Sequence, residues 1–339
     1  MTRIALIFLM ACSGSSATVD SGVPGCGDIG DTHVTPSDWL GYPPYAMQGC
    51  RLAYVDGPTG DLILRDLSLG TSQVLEPAAS MPRRPAMGSN VLAWEVQDGV
   101  RVFQDGATTT MPVPAGYDHV GEPAAATSIV VVTAWRTAAS DSDTDVLAFD
   151  PATSTFTPVV VAPKQQRFAA VSDTIVAVTD FTEDPIGSYT GSGNDLADIG
   201  VFTRASASYV VRQRPGKDAF PVIVTNDVLG YLHWGDVHPE PKLEAYTLYS
   251  GTIGADPLGD TKIADVTNAF ALERPSAKNG VIEWVVTLQG SSTLWRANAT
   301  SASAPAAALT LTNESLLGSV SLDQGTLVAA GNVLRVVAR

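Results

Sequence analysis

GCRLAYVDG at residues 49–57, SNVLAWEV at 89–96, TSIVVVTAW at 127–135, SDTIVAVTD at 172–180, NDVLGYLHW at 226–234, NGVIEWVVT at 279–287 and QGTLVAAG at 324–331 are seven versions of one phrase. Each opens on turn-forming residues and runs into β-branched, aromatic or small apolar residues, the pattern of a strand entered from a tight turn. Further short β-favouring runs flank each phrase, separated by polar turns and ending near Pro, so the whole unit recurs about every 40 to 55 residues. A single small sheet cannot bury its own faces, and a repeat of this length with several strands per unit solves that by stacking sheets around a ring, as in a β-propeller.

The turn chemistry places the strands. Blade 1 reads as Tyr45 to Gln48, Arg51 to Val55, Leu62 to Asp66 and Ser72 to Leu75, with reversals at Asp56-Gly57-Pro58 and Ser68 to Gly70. Blade 2 reads as 84–88, 91–96, 100–104 and 108–113, and blades 3 to 6 begin near Glu122, Arg167, Ala219 and Arg274. Blade 7 has three strands, 319–322, 326–329 and 333–337, and lacks an outer one. The outer strands elsewhere read TSQVLEP, TTTMPVP and FTPVVVAP, and DTHVTP at 31–36 has the same form. The expected fold is therefore all-β, a propeller of seven four-stranded blades closed by an N-terminal strand near 31–36, which would leave no exposed sheet edge. Six and eight blades are the neighbouring readings, because strand ends are fixed by sequence only to within several residues.

The third strands carry the most specific wording: DLILRDLS at 61–68, DVLAFDPAT at 145–153 and DIGVFTRAS at 198–206. Over roughly residues 44–338 this resembles the TolB-like propellers of bacterial envelopes. The resemblance implies the fold and an envelope location, and it leaves activity open because propellers host unrelated functions. Tyr54, Trp94, Tyr231 and Trp284 fall at one aligned second-strand position and are read as packing between blades.

The amino terminus points to export. Met1-Thr2-Arg3, an apolar run from Ile4 and the tetrapeptide Leu9-Met10-Ala11-Cys12 resemble a bacterial lipobox. This implies a signal peptide over 1–11, lipidation of Cys12, a flexible lipidated linker over 12–30 and the propeller over 31–339. An ordinary secretory signal is the alternative. The apolar run is too short to span a bilayer as a helix. Of three cysteines, Cys12 would go to lipid, leaving Cys26 and Cys50 as a disulfide pair in an oxidising compartment, or as two free thiols. The expected location is the cell envelope, at the outer membrane facing the periplasm or the cell surface, with the chain a monomer.

With 16% charged residues and a net charge of −15, the 339-residue chain lacks the basic footprint that nucleic acid or an anionic lipid surface requires. Contact with the membrane would be through the N-terminal lipid alone.

Long turns between second and third strands occur in blades 3, 4 and 5, at about 136–144, 182–197 and 235–242, and such turns share one face of a propeller. They are acidic: Asp141, Asp143 and Asp145; Glu183, Asp184, Asp195 and Asp198; Asp236, His238 and Glu240. These residues are the candidate binding rim. SDSDTD at 140–145 has the alternating carboxylates of a calcium loop, but Val146 stands where such a loop needs Gly, and a solvated acidic turn is the competing reading. His233, Asp236 and His238 lack a fourth strong ligand for zinc. No cofactor or metal site is assigned. No G-x-S-x-G, H-E-x-x-H or phosphate-binding loop is present. Two readings follow: a noncatalytic module, not an enzyme, binding an envelope protein or glycan through the blade 3–5 face, or a carbohydrate-active hydrolase or lyase using carboxylates on that face.

Overall fold

In a computed structural model, residues 19–20, 22–38, 40–136, 143–184, 196–234, 244–269, 271–272, 274–301 and 303–339 are described. Seven antiparallel sheets stand in chain order as seven blades, each with four strand positions. Blade 1 is Tyr45–Gln48, Arg51–Val55, Leu62–Asp66 and Thr71–Glu76, within a residue of the expected bounds. In blade 6 the inner position is split into Ala271–Leu272 and Ser276–Lys278, both paired with Val281–Leu288. The aligned aromatics lie between blades: Trp94 and Tyr231 are fully buried, as is Trp284 but for 1%. Leu92, Trp94 and Val96 of blade 2 pack on Ala53, Val55, Leu62 and Leu64 of blade 1, and similar apolar seams follow between later blades.

The ring closes through Val19–Asp20, which pairs with Val333–Ala338 as the outer strand of blade 7. This lies upstream of the 31–36 segment expected to close it, inside the stretch read as linker. His33 adds a single bridge to Val333, and Val34 bridges to Asp56 of blade 1. The 32–34 segment is thus a stitch between last and first blades: Leu334 N–H donates to Thr32 O at 2.9 Å, and Val34 N–H donates to Asn332 O at 2.8 Å. Cys26 and Cys50 form a disulfide, Ile29 is fully buried, and Arg65 donates to the carbonyls of Asp28 and Ile29.

One irregularity of the inner strands positions everything on the axis. In blades 2, 3, 4, 5 and 7 the inner strand slips register at a bulge, and a residue there has positive φ: Arg84, Glu122, Phe168, Phe220 and Gly318. Pro follows in three of them, at Pro85, Pro123 and Pro221, where a bulge spares the sheet a donor that Pro cannot supply. Side chains from blades 2, 3, 4, 5 and 6 then meet one another, which they can do only at the centre of the ring.

Candidate functional site

At the centre, Glu122 is gripped by Arg167 and lies 3.7 Å from Arg84. Arg84 pairs with Glu95 at 2.9 Å and with Asp38 at 2.5 Å. Tyr42 donates to Glu122 at 3.3 Å, and the Arg274 guanidinium lies 3.4 Å over the Tyr42 ring. Burial works to raise the Glu122 carboxyl, but Arg167, Arg84 and Arg274 outweigh it and hold the group down at about 2. Glu122 is thus a carboxylate at any working pH. The N-terminal segment around Asp38 and Tyr42 is stitched to the centre of the ring, and a permanent ion cluster of this kind fixes structure and moves no proton.

The blade 4–5 boundary is chemically different. Asp180 ends the second strand of blade 4, Ile175–Asp180, directly opposite Asp198, which opens the third, Asp198–Thr203. Asp218, on the inner strand of blade 5, joins them because its N–H donates to Ala197 O at 2.7 Å. These three carboxylates come from adjoining strands at the face where second–third turns and interblade linkers emerge. Asp180 is saturated by Thr182 and by the Tyr209 hydroxyl at 2.5 Å. Asp198 accepts Arg214 N–H at 2.9 Å on Oδ1, and Oδ2 has no partner among the described residues. Burial, reinforced by the charges of Asp218, Asp180 and Glu183, pushes the Asp198 carboxyl up to about 6.

Asp198 is not sealed away. With Glu183, Leu196, Ala197, Gln213, Arg214, Pro215 and Gly216 it lines a cleft of about 360 Å³ between the two blades. Arg214 is held beside it by stacking at 4.0 Å over the Tyr249 ring and by donating to the Tyr231 hydroxyl at 3.2 Å. The cleft therefore holds an acid that keeps its proton towards neutrality, an exposed second carboxylate and a fixed cation.

Of the expected rim, Asp141, Asp195, Asp236, His238 and Glu240 lie outside the described residues. Asp143 is half-buried on the blade 3 turn. Asp145 is buried and accepts the Tyr117 hydroxyl at 2.6 Å and Ala162 N–H at 3.1 Å. Asp184 is buried and accepts Leu196 N–H at 2.6 Å. Among the described rim residues, Glu183 and Asp198 alone share the cleft. A regularity explains part of this: Asp61, Asp145 and Asp198 each start or adjoin a third strand, and each accepts a backbone N–H from the linker after the fourth, at Ala78, Ala162 and Arg214. The Asp that opens each third-strand motif is thus a clamp of the fold, and in blade 4 it also faces a cleft. His233 does not enter a cluster with metal-ligand geometry; among the described residues no group of three His, Cys, Asp or Glu could hold a metal ion. It pairs instead with Asp218, a partner that sequence reasoning did not find.

No family model and no curated protein matches the chain. Among solved structures it is similar to the β-propeller domain of the Trilobed protease from Pyrococcus furiosus, at 12% identity and TM-score 0.64, covering 90% of this chain and 94% of that one. It is similar to the acylaminoacyl peptidase of Pyrococcus horikoshii, at 12% identity and TM-score 0.60, over 88% of this chain and 49% of the peptidase. It is also similar to oligogalacturonate lyase from Vibrio parahaemolyticus, at 8% identity and TM-score 0.59, over 90% of each chain. At such identities the likeness establishes the class of fold, a seven-bladed β-propeller. The expectation of a noncatalytic binding module is corrected here: these propellers belong to peptidases and a lyase, and that reading is given up.

Proposed function

We propose that the chain is a glycan-cleaving propeller enzyme whose chemistry takes place in the cleft between blades 4 and 5. The observation that carries this is Asp198, a carboxylic acid held protonated up to about 6 at an open cleft beside the carboxylate of Glu183. Glycoside hydrolysis needs such an acid to protonate the departing oxygen and a second group to activate the attacking water, whereas in elimination the second group removes the proton α to the sugar carboxylate. The support for carbohydrate is the likeness to oligogalacturonate lyase, together with the acid at the cleft. Arg214 offers a cation to a carboxylate-bearing sugar at the same cleft.

Asp198→Asn tests the reading. The amide oxygen can still accept Arg214 N–H, so the clamp survives while the acid is lost. Release of new sugar ends from oligogalacturonate and a panel of neutral polysaccharides is expected to fall about 10²- to 10⁴-fold. In the wild type it is expected to decline as pH rises through about 6. Stability should move the other way. A carboxyl raised in the fold favours the protonated state, so its contribution is full below its ordinary value and is lost as pH rises from there to about 6. The Asn variant should therefore be more stable at neutral pH, on the order of 1 kcal/mol after allowance for solvent at the cleft. Full turnover by the variant would end the proposal.

The cell envelope is the proposed location, and lipidation of Cys12 the proposed anchor. The Cys26–Cys50 disulfide supports an oxidising compartment. An N-terminal peptide carrying no acyl mass would remove the anchor from the account.

A further inference from the structure

The sheets of a propeller diverge as they run out from the axis, so a seam filled near the axis can open further out. Between blades 1 and 2 the outer floor is Leu64 and Phe103, both buried and both on third strands. Above that floor lies a cleft of about 480 Å³. Arg51 opens the second strand of blade 1 and pairs in register with Asp66, which ends the third. From blade 2 come Asn90, on the turn between first and second strands, and Asp105, on the two-residue turn Asp105-Gly106 between third and fourth. All four stand at the strand ends away from the second–third turns, so this cleft is on the face opposite to Asp198.

The walls hold polar groups that the fold leaves uncommitted. Asp66 Oδ1 accepts the Ser68 hydroxyl at 2.6 Å and the N–H groups of Ser68 and Leu69 at 3.0 and 3.1 Å, while Oδ2 accepts nothing among the described residues. Those bonds, the Ser68 hydroxyl first, and the Arg51 charge keep the carboxyl below its ordinary range, so it serves as an acceptor only. Arg51 is half-buried, and its guanidinium has no hydrogen bond or ion pair among the described residues. The same holds for the side-chain amides of Gln73, the register partner of Leu64, and of Asn90, whose backbone N–H is fixed on Thr127 O at 2.8 Å. Asp105 adds a second carboxylate, exposed and unbonded among the described residues.

Charge and hydrogen-bonding capacity select the ligand. A polyanion would meet two carboxylates against one guanidinium, and a cation would meet Arg51. A neutral polyol has hydroxyls that donate to Asp66 and Asp105 and accept from Arg51, Gln73 and Asn90, while its C–H face covers Leu64 and Phe103. The volume is that of a small-ligand pocket, for which roughly 300 to 1,000 Å³ is usual. We propose that this cleft is a binding site for neutral saccharide, separate from the blade 4–5 cleft and independent of the cleavage assigned there. It holds a neutral stretch of glycan on the far face and breaks no bond.

The test is titration of the intact, isotope-labelled protein with cellotetraose, xylotetraose and mannotetraose, followed through its amide resonances by NMR. With at least one of them the amides of Ser72, Asn90 and Gly106 are expected to shift together and to saturate, and tetragalacturonate is expected not to move them. Arg51→Met is expected to weaken that binding about tenfold or more, because the site loses its charged donor. Ser72→Trp, at an exposed position on the rim, is expected to abolish it by filling the cleft. Asp198→Asn should leave it unchanged. No shift at these amides with any of the neutral probes overturns the proposal, as does binding unchanged by either blade 1 substitution or reproduced by tetragalacturonate. Shifts confined to Leu196, Arg214 and Gly216 would seat neutral saccharide in the blade 4–5 cleft, overturning this site while leaving the cleavage reading in place.

Discussion

Glu122→Ala is expected to cost the fold about 3 to 5 kcal/mol, measured as a fall in the urea midpoint at unchanged slope. The magnitude follows from what the substitution leaves behind. Arg167 and Arg84 are themselves largely buried, at 9% side-chain exposure each, and both are charged under any condition in which the protein folds. With Glu122 gone, Arg84 keeps Glu95 and Asp38, but Arg167 loses the one acid it is paired with among the described residues. An uncompensated guanidinium in the middle of the ring is the dominant cost, larger than the lost attraction itself. The same network fixes the sign of the acid limb. The Glu122 carboxyl is depressed in the fold from its usual 4.5 to about 2, so its contribution is present above 4.5 and is lost as pH falls towards 2. Glu122→Gln should flatten stability across that window by about 3 kcal/mol. A loss below about 1 kcal/mol for the alanine variant would show that the axial ions are ornamental, since that is the scale of an exposed pair.

Removal of the disulfide should have an effect of similar size. Cys26 and Cys50 are separated by 24 in sequence, and opening a loop of that length frees chain entropy in the unfolded state worth about 3 kcal/mol. The bond also stitches the segment carrying Val19–Asp20 onto blade 1 while those residues pair with blade 7. Cys26→Ser with Cys50→Ser is therefore expected to do two things at once. The urea midpoint should drop by the equivalent of about 3 kcal/mol, and the amides of Val333–Ala338 that face Val19–Asp20 should exchange faster than those of blade 3. A stability loss under 1 kcal/mol with unchanged exchange would mean that the stitches of residues 32–34 close the ring unaided.

Much of the architecture could be read from residue order, and the reason is local. Blade 1 was legible to the residue in its first three strands because Asp56-Gly57-Pro58 and Leu69-Gly70 bound the runs on either side, and turn chemistry is a property of neighbours. The closing strand was misplaced because Val19–Asp20 is only two residues long and its signal is weaker than that of DTHVTP. Chemistry that depends on distant partners was much less visible. Arg84-Pro85 and Glu122-Pro123 are readable as irregular strand starts, yet nothing in their spacing shows that the bulges of blades 2 to 5 and Arg274 of blade 6 bring their side chains to one point. The third-strand Asp residues were visible as a motif, but their acceptor role is met by backbone N–H groups 16 or 17 residues on, and a backbone partner leaves no mark in a sequence. Asp218 and His233 are 15 residues apart on paired strands. That separation is set by a hairpin and matches no motif, whereas Asp236 and His238 stand close to His233 in sequence.

The most direct measurement is a crystal structure of the Asp198→Asn protein grown with oligogalacturonate. A saccharide seated between blades 4 and 5, with a glycosidic oxygen facing residue 198 and a carboxylate on Arg214, is the result this account expects. A saccharide bound at the axial mouth or on the opposite face, with the blade 4–5 cleft holding only solvent, would contradict it.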